Sequence, residues 1–123
     1  MKLNEYQVQA MKTCTESSHN LSYMLLNLVG EVGEFSSKIA KGIRKGTLPQ
    51  PTVGEELDAD LRLTPAVAEL IEGLKLEAGD VLWQLAGLCS VMGWSLEDIA
   101  KANIDKLQSR QQRNTIVGDG DYR

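Results

Sequence analysis

A chain of 123 residues, 42% of them apolar, can bury one compact core and not two; with aromatics at only 5%, that core must be built from Leu, Ile, Val, Ala and Met. A formal net charge of −4 argues against a nucleic-acid polymer as partner, since phosphate backbones select basic surfaces, but leaves room for a small phosphorylated ligand whose charge is met by metal ions. Cys14 and Cys89 form no CxxC pair and are too few for a disulfide scaffold, which reads as buried free thiols in a reducing compartment. The polar opening Met1-Lys2-Leu3-Asn4-Glu5 is unlike a signal peptide. No apolar run approaches the roughly 20 residues that span a bilayer, so a soluble cytoplasmic protein with no membrane partner is expected.

Four segments have helical periodicity. The first covers about residues 3–16, with Leu3, Tyr6, Ala10 and Cys14 on one stripe. The second covers about residues 20–44, where Leu21, Leu25, Leu28, Val32, Phe35, Ile39 and Ile43 recur at the spacing of a helix face. The third opens on Thr64 as N-cap and Pro65 in the first helical position, and runs to Met92 before Gly93. Leu74, Ala78, Val81, Leu85, Leu88 and Met92 form its apolar seam. The fourth opens on Ser95 and Asp98 at capping-box spacing, with Trp94 placed to staple onto Ile99, and runs to about residue 113. Residues 46–63, with Pro49, Pro51 and Gly54 followed by Glu55, Glu56, Asp58 and Asp60, read as a polar loop insert. Residues 115–123 read as a non-helical tail. No segment alternates as a strand does, and no repeat is present, so the expected architecture is a single all-α domain over residues 1–123, a four-helix bundle.

The residues with chemical potential lie on the second, third and fourth helices. Glu31 and Glu34, three apart, project from one face, which also holds Asn27, Lys38 and Lys41. Glu77 and Asp80 repeat the arrangement beside Gly73, Gln84 and Gly87, whose two glycines leave room for a ligand or a close helix approach. Taken singly, either acid pair is ordinary solvated helix surface. Solvated helix acids, however, usually have a basic partner three or four residues away; here only Glu34 has one, Lys38. If the helices pack through their apolar stripes, the four carboxylates meet at the edge of the interface, at a cost of several kcal/mol per uncompensated ion. A divalent cation removes that cost, and an all-oxygen ligand set selects Mg²⁺, with Mn²⁺ as substitute, over zinc. On the fourth helix Asn103, Lys106, Arg110 and Arg113 share a stripe. By itself this is a solvated basic face favoured by the helix dipole; beside a tetra-acid site it becomes a candidate phosphate clamp. His19 is the only histidine, which excludes a di-iron carboxylate bundle, and the Gly118–Asp121 stretch lacks the Gly-Lys-Ser/Thr of a P-loop.

Three blocks in order resemble the signature of MazG-like nucleoside triphosphate pyrophosphohydrolases: Leu28-Val29-Gly30-Glu31-Val32-Gly33-Glu34, Glu77-Ala78-Gly79-Asp80-Val81-Leu82-Trp83, and Asn103-Ile104-Asp105-Lys106-Leu107 followed by Arg110. The opening Asn4-Glu5-Tyr6-Gln7 and the closing Gly118-Asp119-Gly120-Asp121-Tyr122-Arg123 resemble a compact subgroup common in phages and mobile elements. The resemblance implies an all-α, oligomeric protein, a homodimer or homotetramer, with Glu31, Glu34, Glu77 and Asp80 as Mg²⁺ ligands. It also implies that Asn103, Lys106 and Arg110 contact phosphates or sugar, and makes Trp83 a base-contacting or core residue. The gap between Glu34 and Glu77 is wider than the family's usual spacing.

The expected activity is Mg²⁺-dependent hydrolysis of (deoxy)nucleoside triphosphates to monophosphate and pyrophosphate in nucleotide-pool house-cleaning. Lys38 would contact substrate and Glu34 would be the catalytic base that takes the proton of the attacking water. The alternatives are a non-catalytic helical partner-binding module, or a sister activity such as a dUTP or dCTP hydrolase or a phosphoribosyl-ATP pyrophosphohydrolase.

Overall fold

The computed structural model describes residues 1–48 and 64–122. Most of the insert expected at residues 46–63, and the last residue of the tail, lie outside the described residues. Among the described residues there are four α-helices and no strand: α1 (Leu3–Met11), α2 (Leu21–Arg44), α3 (Pro65–Val91) and α4 (Leu96–Gln112), with a short 3₁₀ turn at Glu16–Ser18 between the first two.

The caps are local chemistry. Asn20 Oδ1 accepts from the Tyr23 amide, Thr64 Oγ1 from the Val67 amide ahead of Pro65, and Ser95 Oγ from the Asp98 amide, so three helix starts each satisfy one orphan donor with a side chain. Gly46 and Gly93 follow the ends of α2 and α3 at φ +72° and +70°, the left-handed conformation that lets the chain turn back onto the last carbonyls. The Thr47 amide accordingly reaches Gly42 O, and the Trp94 amide reaches Cys89 O.

The first helix is shorter than its periodicity suggests, and the reason is tertiary. The Ala10 carbonyl, which in a continuing helix would accept from the Cys14 amide, instead accepts from the Thr13 amide at 3.0 Å, the Thr13 hydroxyl at 2.7 Å and the Trp83 indole N–H at 3.1 Å. A threonine that bonds back to the main chain competes with the helix, and a donor arriving from α3 completes the exchange. Further contacts tie α1 to the start of α4. The Gln7 amide nitrogen donates to Trp94 O and its oxygen accepts from the Leu96 amide, while Asn4 Oδ1 accepts from Ser95 Oγ at 2.8 Å. The polar residues of the opening segment are therefore structural clasps.

Helices α2 and α3 run antiparallel: Met24 lies against Gly87, Lys38 against Gly73 and Glu77, and Gly42 against Leu70. The core is small. Ala10, Ala86, Cys89 and Leu96 form its buried centre, with Leu3, Tyr6, Met11, Trp83 and Leu85 packed around them, and Met24 is sealed between α2 and α3.

The interface between α2 and α3 departs from the expected packing. Of the apolar stripe on α2, Leu21, Leu25 and Val32 are exposed and Leu28, Phe35, Ile39 and Ile43 only half-buried; on α3, Ala78 and Met92 are exposed. The buried line runs instead through Met24 and Gly42 on α2 and through Glu77, Gln84 and Gly87 on α3. The two helices meet through the face that holds glycines and acids, because only there can the backbones come close. The apolar stripes flank this line, half-buried or exposed, and Val32 and Phe35 of α2 share with Ala78 and Val81 of α3 the lining of a cleft of about 260 Å³.

Candidate metal and nucleotide site

Where α2 and α3 meet, the carboxylates run from the interior of the helix interface, at Glu77, to its solvent edge, at Glu34 and Asp80. Oxygens of Glu31, Glu34 and Glu77 all come within 4.8 Å of one another. Glu77 is buried, Glu31 half-buried and Glu34 exposed, so the cluster opens from the interior to solvent. Asp80, the fourth acid, is exposed and lies outside this closest group, but near enough for its charge to raise the titration of both Glu31 and the Tyr6 phenol.

The electrostatics are those of a site short of positive charge. Burial pushes the Glu31 carboxyl above its ordinary value; repulsion from Asp80, Glu34 and Glu77 adds to the rise, and a hydrogen bond from Asn27 Nδ2 at 2.9 Å opposes it. On its own helix Glu77 has no basic neighbour, but the fold supplies one: Lys38 Nζ sits 2.7 Å from Glu77 Oε1. The lysine expected to serve Glu34 thus serves Glu77 across the interface. The other oxygen, Glu77 Oε2, is buried without a hydrogen-bond partner among the described residues. An orphaned carboxylate oxygen inside a group of converging acids fits a divalent cation, since burial without a partner is costly and all the donors are hard oxygens.

Tyr6 is a residue that periodicity alone hid. It stands on the apolar stripe of α1, yet burial first, and the charge of Asp80 second, raise its phenol above the ordinary range. The signal available in the sequence was a polar-tipped aromatic within an otherwise apolar stripe. Gln84, on the Glu77 face, is also buried, with its Oε1 unpartnered among the described residues.

The remaining expected site residues are not brought to the acids within one chain. Trp83 packs against the core, and its indole N–H donates to Ala10 O and to Thr13 Oγ1 at 2.9 Å. Asn103 and Lys106 are exposed on α4, which packs against α1 and α3. Arg110 is buried: its Nη2 donates to Asp121 O at 2.8 Å and Gly120 O at 3.3 Å, with the Asp121 carboxylate at 3.8 Å. Among the described residues no hydrogen bond or ion pair joins Asn103, Lys106 or Arg110 to the acids.

An all-helical chain whose antiparallel pair draws three carboxylates into one group, with an orphaned oxygen between them, defines a class of α-proteins able to hold a metal ion. The family model of the MazG nucleotide pyrophosphohydrolase domain matches residues 19–114, taking in the acid cluster and α4, and the chain belongs to that family. It is also similar to the Gene 37 protein of Mycobacterium phage L5, at 33% identity over the whole of both chains. No solved structure matches.

Proposed function

We propose that the chain hydrolyses (deoxy)nucleoside triphosphates to monophosphate and pyrophosphate with Mg²⁺, clearing unwanted nucleotides from the cytoplasmic pool. The convergence of Glu31, Glu34 and Glu77 around an unpartnered buried oxygen carries this reading, together with the family to which the chain belongs. Glu31, Glu34, Glu77 and Asp80 would hold the metal, with Mn²⁺ as substitute. When bound, it would supply charge neutralisation for the phosphates and a more acidic water. Glu34, the exposed member of the group, would take that water's proton and release it to solvent. Lys38 would hold phosphate oxygens. Trp83, whose N–H is committed to α1, would offer only its ring face to a base. Hydrolysis in ¹⁸O-labelled water tests the reaction. Label should enter the nucleoside monophosphate and leave pyrophosphate unlabelled, because attack falls on the α-phosphorus; diphosphate and orthophosphate as products would refute it.

Asn103, Lys106 and Arg110 enter this reading through assembly. Leu25 is 46% exposed, Leu26 76% and Val29 73% on α2, and Leu76 is 70% exposed on α3. Faces of that kind are suited to burial against another copy, and α4 of a neighbour would then stand close to the acids. Light scattering at micromolar concentration should show a homodimer or homotetramer, and a monomer would count against the arrangement. No helix among the described residues is long and apolar enough to cross a membrane.

A further inference from the structure

Among the described residues, the cation that touches the acid cluster, Lys38, is on α2 and not on α4. Between the C-terminal half of α2 and the N-terminal half of α3 lies an open cleft of about 490 Å³, lined by Lys38, Lys41, Lys45 and Thr47 on one side and by Glu69 and Gly73 on the other. The three lysines follow one face of the helix and span about 10 Å of rise. Lys38 belongs to both places, since it lines the cleft while its Nζ rests on Glu77. Gly73 lies close beneath it: a Cβ there would stand 3.3 Å from Lys38 Nζ, so the ammonium would have to shift slightly to keep its seat.

We propose that this cleft is a polyphosphate subsite in which Lys41 and Lys45 hold the β- and γ-phosphates, and that Lys38 is an exchangeable cation. Lys38 neutralises Glu77 while the acids hold no metal, and turns into the cleft when a divalent ion takes the carboxylate. Assigning the bound group to a nucleotide rests on the pyrophosphohydrolase reading; the anion chemistry of the cleft does not. With its α-phosphorus at Glu31, Glu34 and Glu77, a triphosphate would direct its terminal phosphates along α2 into the cleft, where the long Lys41 and Lys45 side chains would reach back toward the acids to meet them. Glu69 sets the outer limit of the subsite, because its carboxylate repels an anion at that wall.

Calorimetric titration of the full chain with inorganic tripolyphosphate in Mg²⁺ tests the subsite without requiring turnover. Lys41→Gln and Lys45→Gln should each weaken binding by about tenfold, as expected for one charge-assisted contact. Lys75→Gln, whose lysine pairs with Glu72 on the surface away from the cleft, should bind as the wild type does. Titration with Mn²⁺ alone should show Lys38→Gln binding the ion several-fold more tightly, since no ammonium competes for Glu77. Wild-type affinity for tripolyphosphate in the Lys41→Gln/Lys45→Gln double variant would overturn the subsite, and unchanged or weakened Mn²⁺ binding in Lys38→Gln would overturn the exchange. If the wild type hydrolyses nucleotides and the double variant keeps its KM, the cleft assignment fails and the reaction stands. Lysine-dependent tripolyphosphate binding by a chain that hydrolyses no nucleotide would instead remove the reaction and leave the subsite.

Discussion

Glu77→Gln should lower nucleotide turnover by about a hundred- to a thousandfold, the scale of losing a principal electrostatic contact at a reacting centre. The same loss is expected for Glu31→Gln, Glu34→Gln and Asp80→Asn, with helical content by circular dichroism unchanged. Full activity in any two of these variants would refute the four-carboxylate site. Glu77 is the most informative position because it is the buried member and its Oε2 has no other partner. Without metal, two effects of Glu77→Gln oppose each other. The substitution removes a charge that repels Glu31, but gives up the 2.7 Å ion pair with Lys38. The Lys38 side chain is 36% exposed and can return to water, so the net change in metal-free stability should stay within about 1 kcal/mol.

The same cluster fixes the sign of a pH dependence. The Glu31 carboxyl titrates above its ordinary value of 4.5 in the folded chain, first through burial and then through Asp80, Glu34 and Glu77. Between the unfolded and folded values the native state therefore holds more protons than the unfolded one, and the contribution of Glu31 to stability falls as pH rises through that window. Metal-free melting temperatures of the wild type relative to Glu31→Gln should decline across it and then level off, and Mg²⁺ should remove the decline. A relative melting temperature that climbs through the same window would show that Glu31 is stabilised as a carboxylate, contrary to the crowding described.

The pattern of agreement with the sequence follows the range of the interactions involved. Thr64–Pro65, Gly93 and Ser95 act on backbone groups a few residues away, so the boundaries of α3 and the start of α4 were legible from them, while α2 was legible from its apolar periodicity. The end of α1 was not, because it depends on Trp83 reaching Ala10 from a distant part of the chain. The acid pairs were legible as pairs, and their lack of basic neighbours pointed to convergence. Which face of each helix would be buried could not be read from hydropathy. Apolar periodicity marks a surface that leaves water, whereas within one chain the closer approach belongs to the glycine-bearing acid face. The role of Arg110 was obscured for a similar reason. A stripe of basic residues on α4 is visible in the sequence, but the fold of the tail, which brings Gly120 O and Asp121 O onto the guanidinium, is not.

Gly87→Val should destabilise the chain by about 1–3 kcal/mol, the range for forcing extra side-chain volume into a packed interface. A Cβ at position 87 would overlap Met24 Sδ, and Met24 is fully buried, so the thioether has no empty space into which to withdraw. The better helix propensity of a residue with a side chain offsets part of this cost but does not reverse it. Met24→Ala should cost more, about 2–5 kcal/mol, because it leaves a cavity between α2 and α3. The two changes are complementary in volume: the valine occupies the space that the methionine vacates. The double variant should therefore be more stable than the sum of the single losses predicts, with a coupling of about 0.5–3 kcal/mol in a denaturant cycle. The contact lies on the same pair of helices as the site, about three turns along α3 from Glu77. Gly87→Val should consequently also weaken Mn²⁺ binding, by displacing Glu77 relative to Glu31, and Met24→Ala in the same chain should restore it. Strict additivity of the two stability changes would mean that Met24 and Gly87 do not set the approach of α2 to α3, and that the spacing of the carboxylates is fixed elsewhere.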